Sequence, residues 1–246
     1  MINIKNLKKH FGTNEVLKGV DLDVDDSGIF AILGPNGSGK TTIIKSILGM
    51  VIPQEGNITV DGHQVKGSWA YRKLIGYLPQ IARFPENLSV MEVIKMVKDI
   101  RGQEANEGPL IERFNLTPFL NKRLRNLSGG TRQKVNIVLC FMFDAKYIIL
   151  DEPTAGLDPV ALISLKELIR EERKKGKIIL LTTHIMDLVE EVADEIVFLL
   201  EGKIFFKGTL ADMQDLTGED KLDKSIARIL IRNAPEHNLE AVTAIS

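Results

Sequence analysis

Gly34-Pro35-Asn36-Gly37-Ser38-Gly39-Lys40-Thr41 follows the apolar run of residues 28–33 and leads into a helical stretch at 43–48. Every demanded residue of the G-x-x-x-x-G-K-[ST] phosphate loop is in place, in the strand–loop–helix setting that such a loop requires. Backbone N–H groups of the loop point inward around a β-phosphate, and the helix end adds roughly half a positive charge. Lys40 reaches the β- and γ-oxygens, and the Thr41 hydroxyl can ligate Mg2+. The four fixed positions arise by accident in only about one chain per hundred of this length, so a plain glycine turn is the weaker reading. On this loop alone the chain binds a nucleoside triphosphate of unspecified kind.

Tyr147-Ile148-Ile149-Leu150-Asp151-Glu152 has the form of a buried strand ending in two acids. Ligands of open α/β sheets sit outside the carboxyl ends of the strands, on the rim that also carries a phosphate loop. There Asp151 can hold Mg2+, and Glu152 can orient and deprotonate an attacking water. Alone, the pair could equally be two surface acids before Pro153; the upstream loop removes most of that alternative. Leu127-Ser128-Gly129-Gly130-Thr131-Arg132-Gln133 is a second glycine turn with a hydroxyl, opening a long helix from about Arg132 to Phe143. It too offers helix N-terminal donors to an anion, beside the plainer reading of Ser128 as an N-cap.

These elements need a scaffold, and the rest of the chain supplies one. The first two dozen residues read as short alternating strands, broken at Gly12-Thr13-Asn14 and at Gly19. A strand pair surrounds Asp61-Gly62, and residues 75–78 form another strand, stopped by Pro79. From Pro85 to about Phe143 the pattern is helical, with Ser89-Val90-Met91-Glu92 as a capping box. Beyond residue 147 strand and helix alternate: helix 160–175, strand 177–182, helix 185–192, strand 195–200. The class is α/β, with a helical lobe inserted between two strands of the core. Glu171-Glu172-Arg173-Lys174-Lys175, mixed in sign at a helix end, reads as a solvated face.

Composition sets the limits. The 246 residues are 44% apolar and 26% charged, with net charge −1, which suits one large domain and indicates no nucleic-acid partner. The single cysteine, Cys140, sits in an apolar run and is expected in a core helix. Apolar stretches reach about half the roughly 20 residues of a membrane span, and Met1-Ile2-Asn3-Ile4-Lys5 alternates like a strand rather than a secretion signal. The expectation is a soluble, cytoplasmic protein that acts at a membrane only through a partner.

Phosphate loop, Ser128–Gly130 turn and Asp151-Glu152 pair together resemble the ATP-binding cassette (ABC) ATPases, from about Ile2 to about Leu216. The resemblance implies a P-loop core sheet with an N-terminal antiparallel β subdomain and an inserted α-helical subdomain. It implies an ATPase domain over 1–218, the lobe at about 83–143, and a short helical tail at 219–246. Gln80, after Tyr77-Leu78-Pro79, matches the family's glutamine loop, which touches Mg2+ and the attacking water and senses the transmembrane partner. Asp158, in Ala155-Gly156-Leu157-Asp158, matches the D-loop at the dimer interface, and Asp158-Pro159 is also a sound cap for the next helix. His184 matches the histidine that contacts the γ-phosphate. Phe11, in place of the commoner tyrosine, matches the residue that stacks on adenine, with Val16 nearby; a core phenylalanine is the competing reading. His10, His63 and His237 have no such context.

The resemblance also implies a catalytic set of Glu152, His184, Gln80 and Lys40, with Thr41, Gln80 and Asp151 around Mg2+. The nucleotide would be held by Phe11, Val16, Gly34, Pro35, Asn36, Gly37, Ser38, Gly39, Lys40, Thr41 and Thr42. Gly129 and Asp158 would also bind the nucleotide, and Ser128 and Gly130 would come from a second ABC ATPase subunit, in a head-to-tail homodimer around two ATP. The dimer would drive a separate transmembrane permease subunit, with the ATPase peripheral on the cytoplasmic face of the membrane. A soluble mechanical clamp of translation or DNA repair is the alternative, but such proteins carry two cassettes or a long coiled-coil insertion. A P-loop phosphotransferase would not need Ser128-Gly129-Gly130. Lys122-Arg123-Leu124-Arg125-Asn126 lacks the glutamate–glycine pattern of fused multidrug exporters, and the tail is short for an importer regulatory domain. The chain looks like the separate ATPases of two-component exporter-type systems. Residues 128–144 with Glu201-Gly202-Lys203 look closest to ATPases of copper-enzyme maturation for nitrous oxide reductase, with gliding-motility and drug-export ATPases nearly as similar.

Overall fold

The computed structural model of the chain describes residues 1–25 and 27–233; His237 and the end of the expected 219–246 tail lie outside them. β1 (Ile2–Phe11) and β2 (Asn14–Val24) are followed by β3 (Gly28–Leu33), α1 (Lys40–Ile47), β4 (Glu55–Val60) and β5 (His63–Gln64). β6 (Ile75–Leu78) precedes three helices, α2 (Val90–Arg101), α3 (Glu107–Arg113) and α4 (Gly129–Phe141). The chain continues through β7 (Tyr147–Asp151), α5 (Pro159–Lys174), β8 (Ile178–Thr182) and α6 (Met186–Val192). It ends with β9 (Glu195–Leu200), β10 (Lys203–Gly208), α7 (Leu210–Thr217) and α8 (Leu222–Arg232).

Two sheets result. One is antiparallel, in the order β2-β1-β4-β5; the other runs β10-β9-β3-β8-β7-β6 and is parallel from β9 to β6. Every residue of β3, β7 and β8 is buried, as expected of strands covered on both faces. One face packs on α1 and the antiparallel sheet, through Ile43, Ile47, Tyr147, Ile149 and Leu7. The other packs on α4, α5 and the helical lobe, through Val138, Leu150, Leu165 and Leu181. A third cluster joins Phe198 and Ile196 to Met213, Leu222 and Ile229, so α8 is part of the core. Each fully buried leucine or isoleucine contributes about 1.5–3 kcal/mol.

Local signals act as expected at several element ends. Ser89 Oγ accepts from Glu92 N at 3.3 Å while the Glu92 carboxylate accepts from Ser89 N at 2.7 Å, completing the capping box of α2. Cys140 is buried, and desolvation pushes its thiol well above the usual range. Two expectations are corrected. Gly19 does not break a strand: it is the extra residue of a bulge between Val20 and Lys18, and its φ of +84° bends β2 without ending it. Glu172 is not on a solvated face either. It is buried and pairs with Lys177 at 2.6 Å and Lys175 at 2.6 Å, while Glu171 forks onto Arg113 of α3. The solvated pattern hides an ion-pair seam between the core and the lobe.

Candidate active site

Parallel register decides which residues meet. Asp151 of β7 lies opposite Thr182 of β8, and Thr182 lies opposite Ile32 of β3, two residues before Gly34. The carboxyl ends of β3, β7 and β8 therefore form one rim, and β6 delivers Gln80 to the same side. The cleft above this rim, about 330 Å³, is lined by Asn14, Val16, Asn36, Gly37, Gly39, Lys40, Thr41, Thr42, Gln80, Asp151 and Glu152.

The phosphate loop is held by close packing. A Cβ on Gly34 would sit 2.1 Å from the Leu199 carbonyl oxygen and 2.7 Å from Ser38 Oγ, so no larger residue fits there. Gly39 caps α1 in a left-handed conformation, and the helix N-terminus it opens, Gly39 to Thr42, lines the cleft with its free N–H groups. The Lys40 ammonium donates to the carbonyls of Gly34 at 2.7 Å and Pro35 at 3.1 Å. Burial pulls its pKa down, against the Glu152 and Asp151 carboxylates, which raise it. Ser38 Oγ is buried and finds no hydrogen-bond partner among the described residues. A tight glycine loop at a helix N-terminus, with a lysine and an unsatisfied hydroxyl, suits a polyphosphate.

The acids are held on the opposite wall. Thr182 Oγ1 donates to Asp151 Oδ1 at 2.6 Å in full burial, leaving the second carboxylate oxygen for another ligand. Glu152 has φ +53°, a left-handed strain that few non-glycine residues carry. Its N–H donates to Thr182 O at 3.0 Å and to Thr182 Oγ1 at 3.2 Å, which holds the strained turn. His184 Nδ1 lies 2.9 Å from Glu152 Oε2, with 82% of the His184 side chain exposed. Burial, and next the Asp151 carboxylate, push the Tyr77 phenol up to about 12, so it remains neutral beside the site.

Other expected residues lie outside the cleft. Phe11 sits beside it, 51% exposed, with the Lys9 ammonium 4.8 Å from its ring centroid. Ser128 and Gly129 are exposed at the N-terminus of α4, where Ser128 Oγ accepts from Thr131 N at 3.2 Å. Asp158 caps α5 by accepting from Ala161 N at 2.9 Å, and pairs with Lys134 at 2.6 Å. The sequence motifs assign no role to Asn14, Thr182 or Gln133. Only Thr182 carries a signal: two threonines close an apolar strand, next to the assigned histidine.

A phosphate loop and an acid-tipped neighbouring strand, on a parallel sheet with a β subdomain and a helical lobe, define a nucleotide-hydrolysing α/β protein of the P-loop class. Residues 17–155 match the ABC transporter family. The chain is 34% identical to the lantibiotic transport ATP-binding protein SrtF of Streptococcus pyogenes, over 84% of this chain and 90% of that protein. It is 34% identical to the lipopolysaccharide export system ATP-binding protein LptB of Haemophilus influenzae, over 85% and 90%. The solved structure of an ATP-binding subunit of an ABC transporter superposes with a TM-score of 0.86 at 33% identity, covering 92% of this chain and 98% of that one. This chain belongs to the ABC transporter family. It is an ATP-binding subunit whose ATPase activity energises transport.

Proposed function

We propose that two copies of this chain pair head to tail, each ATP lying between the phosphate loop of one and the Ser128–Gly130 turn of the other. The observation that carries this reading is a separation. Lys40, Thr41, Gln80, Asp151 and Glu152 line one cleft, while Ser128 and Gly129 stand exposed outside it. A helix N-terminus presented outward, with its serine beside glycine, is a set of donors awaiting a phosphate from elsewhere.

Mg2+ fits the donor set, because Thr41, Gln80 and Asp151 offer hard oxygens, and Mg2+ takes one or two carboxylates with substrate phosphates. No group of three or more His, Cys, Asp or Glu that could hold a metal by itself occurs among the described residues. When bound, Mg2+ offsets charge on the β- and γ-oxygens. Lys40 releases its two loop carbonyls to take the same oxygens. Glu152 accepts the proton of the attacking water, His184 orients Glu152, and the Thr182 hydroxyl fixes Asp151. In this design positioning and electrostatics supply the rate.

The transmembrane work belongs to a partner. No helix among the described residues is long and apolar enough to cross a membrane, and a separate permease subunit holds the ATPase at the cytoplasmic face. The lipopolysaccharide export relative supports an exporter-type system. Residues 128–144 with Glu201-Gly202-Lys203 resemble copper-enzyme maturation ATPases, with gliding-motility and drug-export ATPases nearly as similar; no residue here contacts cargo, and the genes flanking this one would identify it. For the pairing, Glu152→Gln with ATP should elute as a dimer and without ATP as a monomer. For the permease, ATPase in washed membranes should persist in cells with the permease and vanish in cells lacking it. An ATP-independent monomer, or retention without any permease, would contradict the reading.

A further inference from the structure

Within one subunit, the turn that carries Glu152 and the helix that begins at Ser128 are tied together at three points. Gln133, a buried polar side chain one turn into α4, donates from Nε2 to the Pro153 carbonyl at 2.9 Å. Lys134 Nζ bonds Asp158 Oδ2 at 2.6 Å while Asp158 Oδ1 still caps α5. Gly130 packs so closely on Gly156 that a Cβ there would stand 2.5 Å from the Gly156 carbonyl oxygen. Pro153 follows the strained Glu152 directly, so the Gln133 bond holds the far side of a turn that Thr182 holds on the near side.

We propose that Gln133 and Lys134 are positioning residues that couple the two ATP sites of the dimer through each subunit. The proposal rests on the head-to-tail reading: Ser128–Gly130 then serves the opposite subunit's ATP, while Glu152 serves the subunit's own. Drawing the Ser128 turn onto a phosphate moves α4, and α4 carries Pro153 and Asp158 with it. Filling one site thereby sets the glutamate of the other. Coupling of this kind is a free energy shared by both sites, so it appears as cooperativity in either direction.

The test reads ATPase rate against ATP concentration. With two sites the Hill coefficient cannot exceed 2, and the wild type should give about 1.5 or more. Gln133→Met keeps volume and loses the donor, and should fall to about 1. ATP affinity by calorimetry, measured with closure blocked by Ser128→Arg, should change by less than about twofold. Lys134→Met breaks a partly exposed ion pair, so it leaves folding intact should Gln133→Met not fold, and it should lower the coefficient in the same way. Lys134→Arg keeps the pair and should restore it. A merely structural role would lower thermal stability or kcat and leave the coefficient where it was. An unchanged coefficient in both methionine variants, or a hyperbolic wild type that still forms ATP-driven dimers, overturns this proposal alone. Absence of the ATP-driven dimer in Glu152→Gln overturns the head-to-tail reading and the proposal with it.

Discussion

Thr182→Val probes how the metal-side carboxylate is held. The hydroxyl is fully buried and donates to Asp151 Oδ1 at 2.6 Å; valine keeps the shape and places a methyl group against the carboxylate. A hydrogen bond to a charged group contributes about 1.5–3 kcal/mol. The acceptor lost to Glu152 N is largely replaced, because that N–H already donates to the Thr182 carbonyl at 3.0 Å. The expected cost is therefore about 2–3 kcal/mol. In a domain of this size each kcal/mol moves Tm by about 2–4 °C, so nucleotide-free protein should melt roughly 4–12 °C lower. Asp151 would also be free to rotate, and loss of such an outer contact typically costs about 10–100-fold in metal affinity. Circular dichroism melts give the first quantity. ATPase rates at saturating ATP across a Mg2+ series give the second, as a raised half-maximal concentration. Thr182→Ser, which keeps the donor, should hold the wild-type Mg2+ dependence. A valine variant that melts within about 1 °C of wild type and needs no more Mg2+ would show that the hydroxyl does not hold Asp151.

Glu152→Gln keeps the side chain's shape but cannot accept a proton; turnover should fall by about 10²–10⁴ with ATP binding intact, and near-normal steady-state rates would remove Glu152 from proton transfer. Lys40→Ala removes the ammonium that offsets the phosphates and should weaken ATP binding itself; unchanged affinity by calorimetry would mean that the loop does not hold the triphosphate. The Lys146 ammonium, bonded to Asp61 at 2.5 Å, holds that carboxyl below its ordinary 3.8, assisted by the Tyr147 hydroxyl and opposed by burial. A folded-state pKa that is depressed contributes stability above the unfolded value and loses it as pH falls through the folded one. Asp61→Asn, which tolerates the φ of +53° at that turn, should therefore lose less stability than wild type between about pH 5 and about pH 3 in a urea titration; equal losses would show the pair to be idle.

The residues that announce the site are contiguous runs whose chemistry needs nothing from elsewhere. Gly28–Thr41 and Tyr147–Glu152 each carry strand, turn and reactive group in one stretch, so fold class and most of the cleft are legible in them. What is not legible depends on register or on packing between distant stretches. Thr182 meets Asp151 only because β8 pairs in parallel with β7 at that register, and a threonine closing a strand says nothing of its neighbour. Gln133 reaches Pro153 across the seam between helix and strand end, and nothing within α4 marks it as different from a surface glutamine. Glu172 misleads for a related reason: charge runs at helix ends are solvated unless another element covers them, and here Lys177 and α3 do. Gly19 resembles a break because a glycine inside a strand can mean either a break or a bulge, and the pairing partner decides.

If each ATP site is shared between two subunits, two dead variants should rescue each other when mixed. Lys40→Ala removes the phosphate-loop charge, and Ser128→Arg fills the outward turn with a bulky cation. Each alone should leave both ATP sites lesioned. In a mixed dimer one site carries both lesions, while the other pairs an intact phosphate loop with an intact Ser128–Gly130 turn. Mixing, with formation of the mixed pair shown by two affinity tags, should restore part of the ATPase activity. Demonstrated mixed dimers that recover no hydrolysis would contradict the shared site.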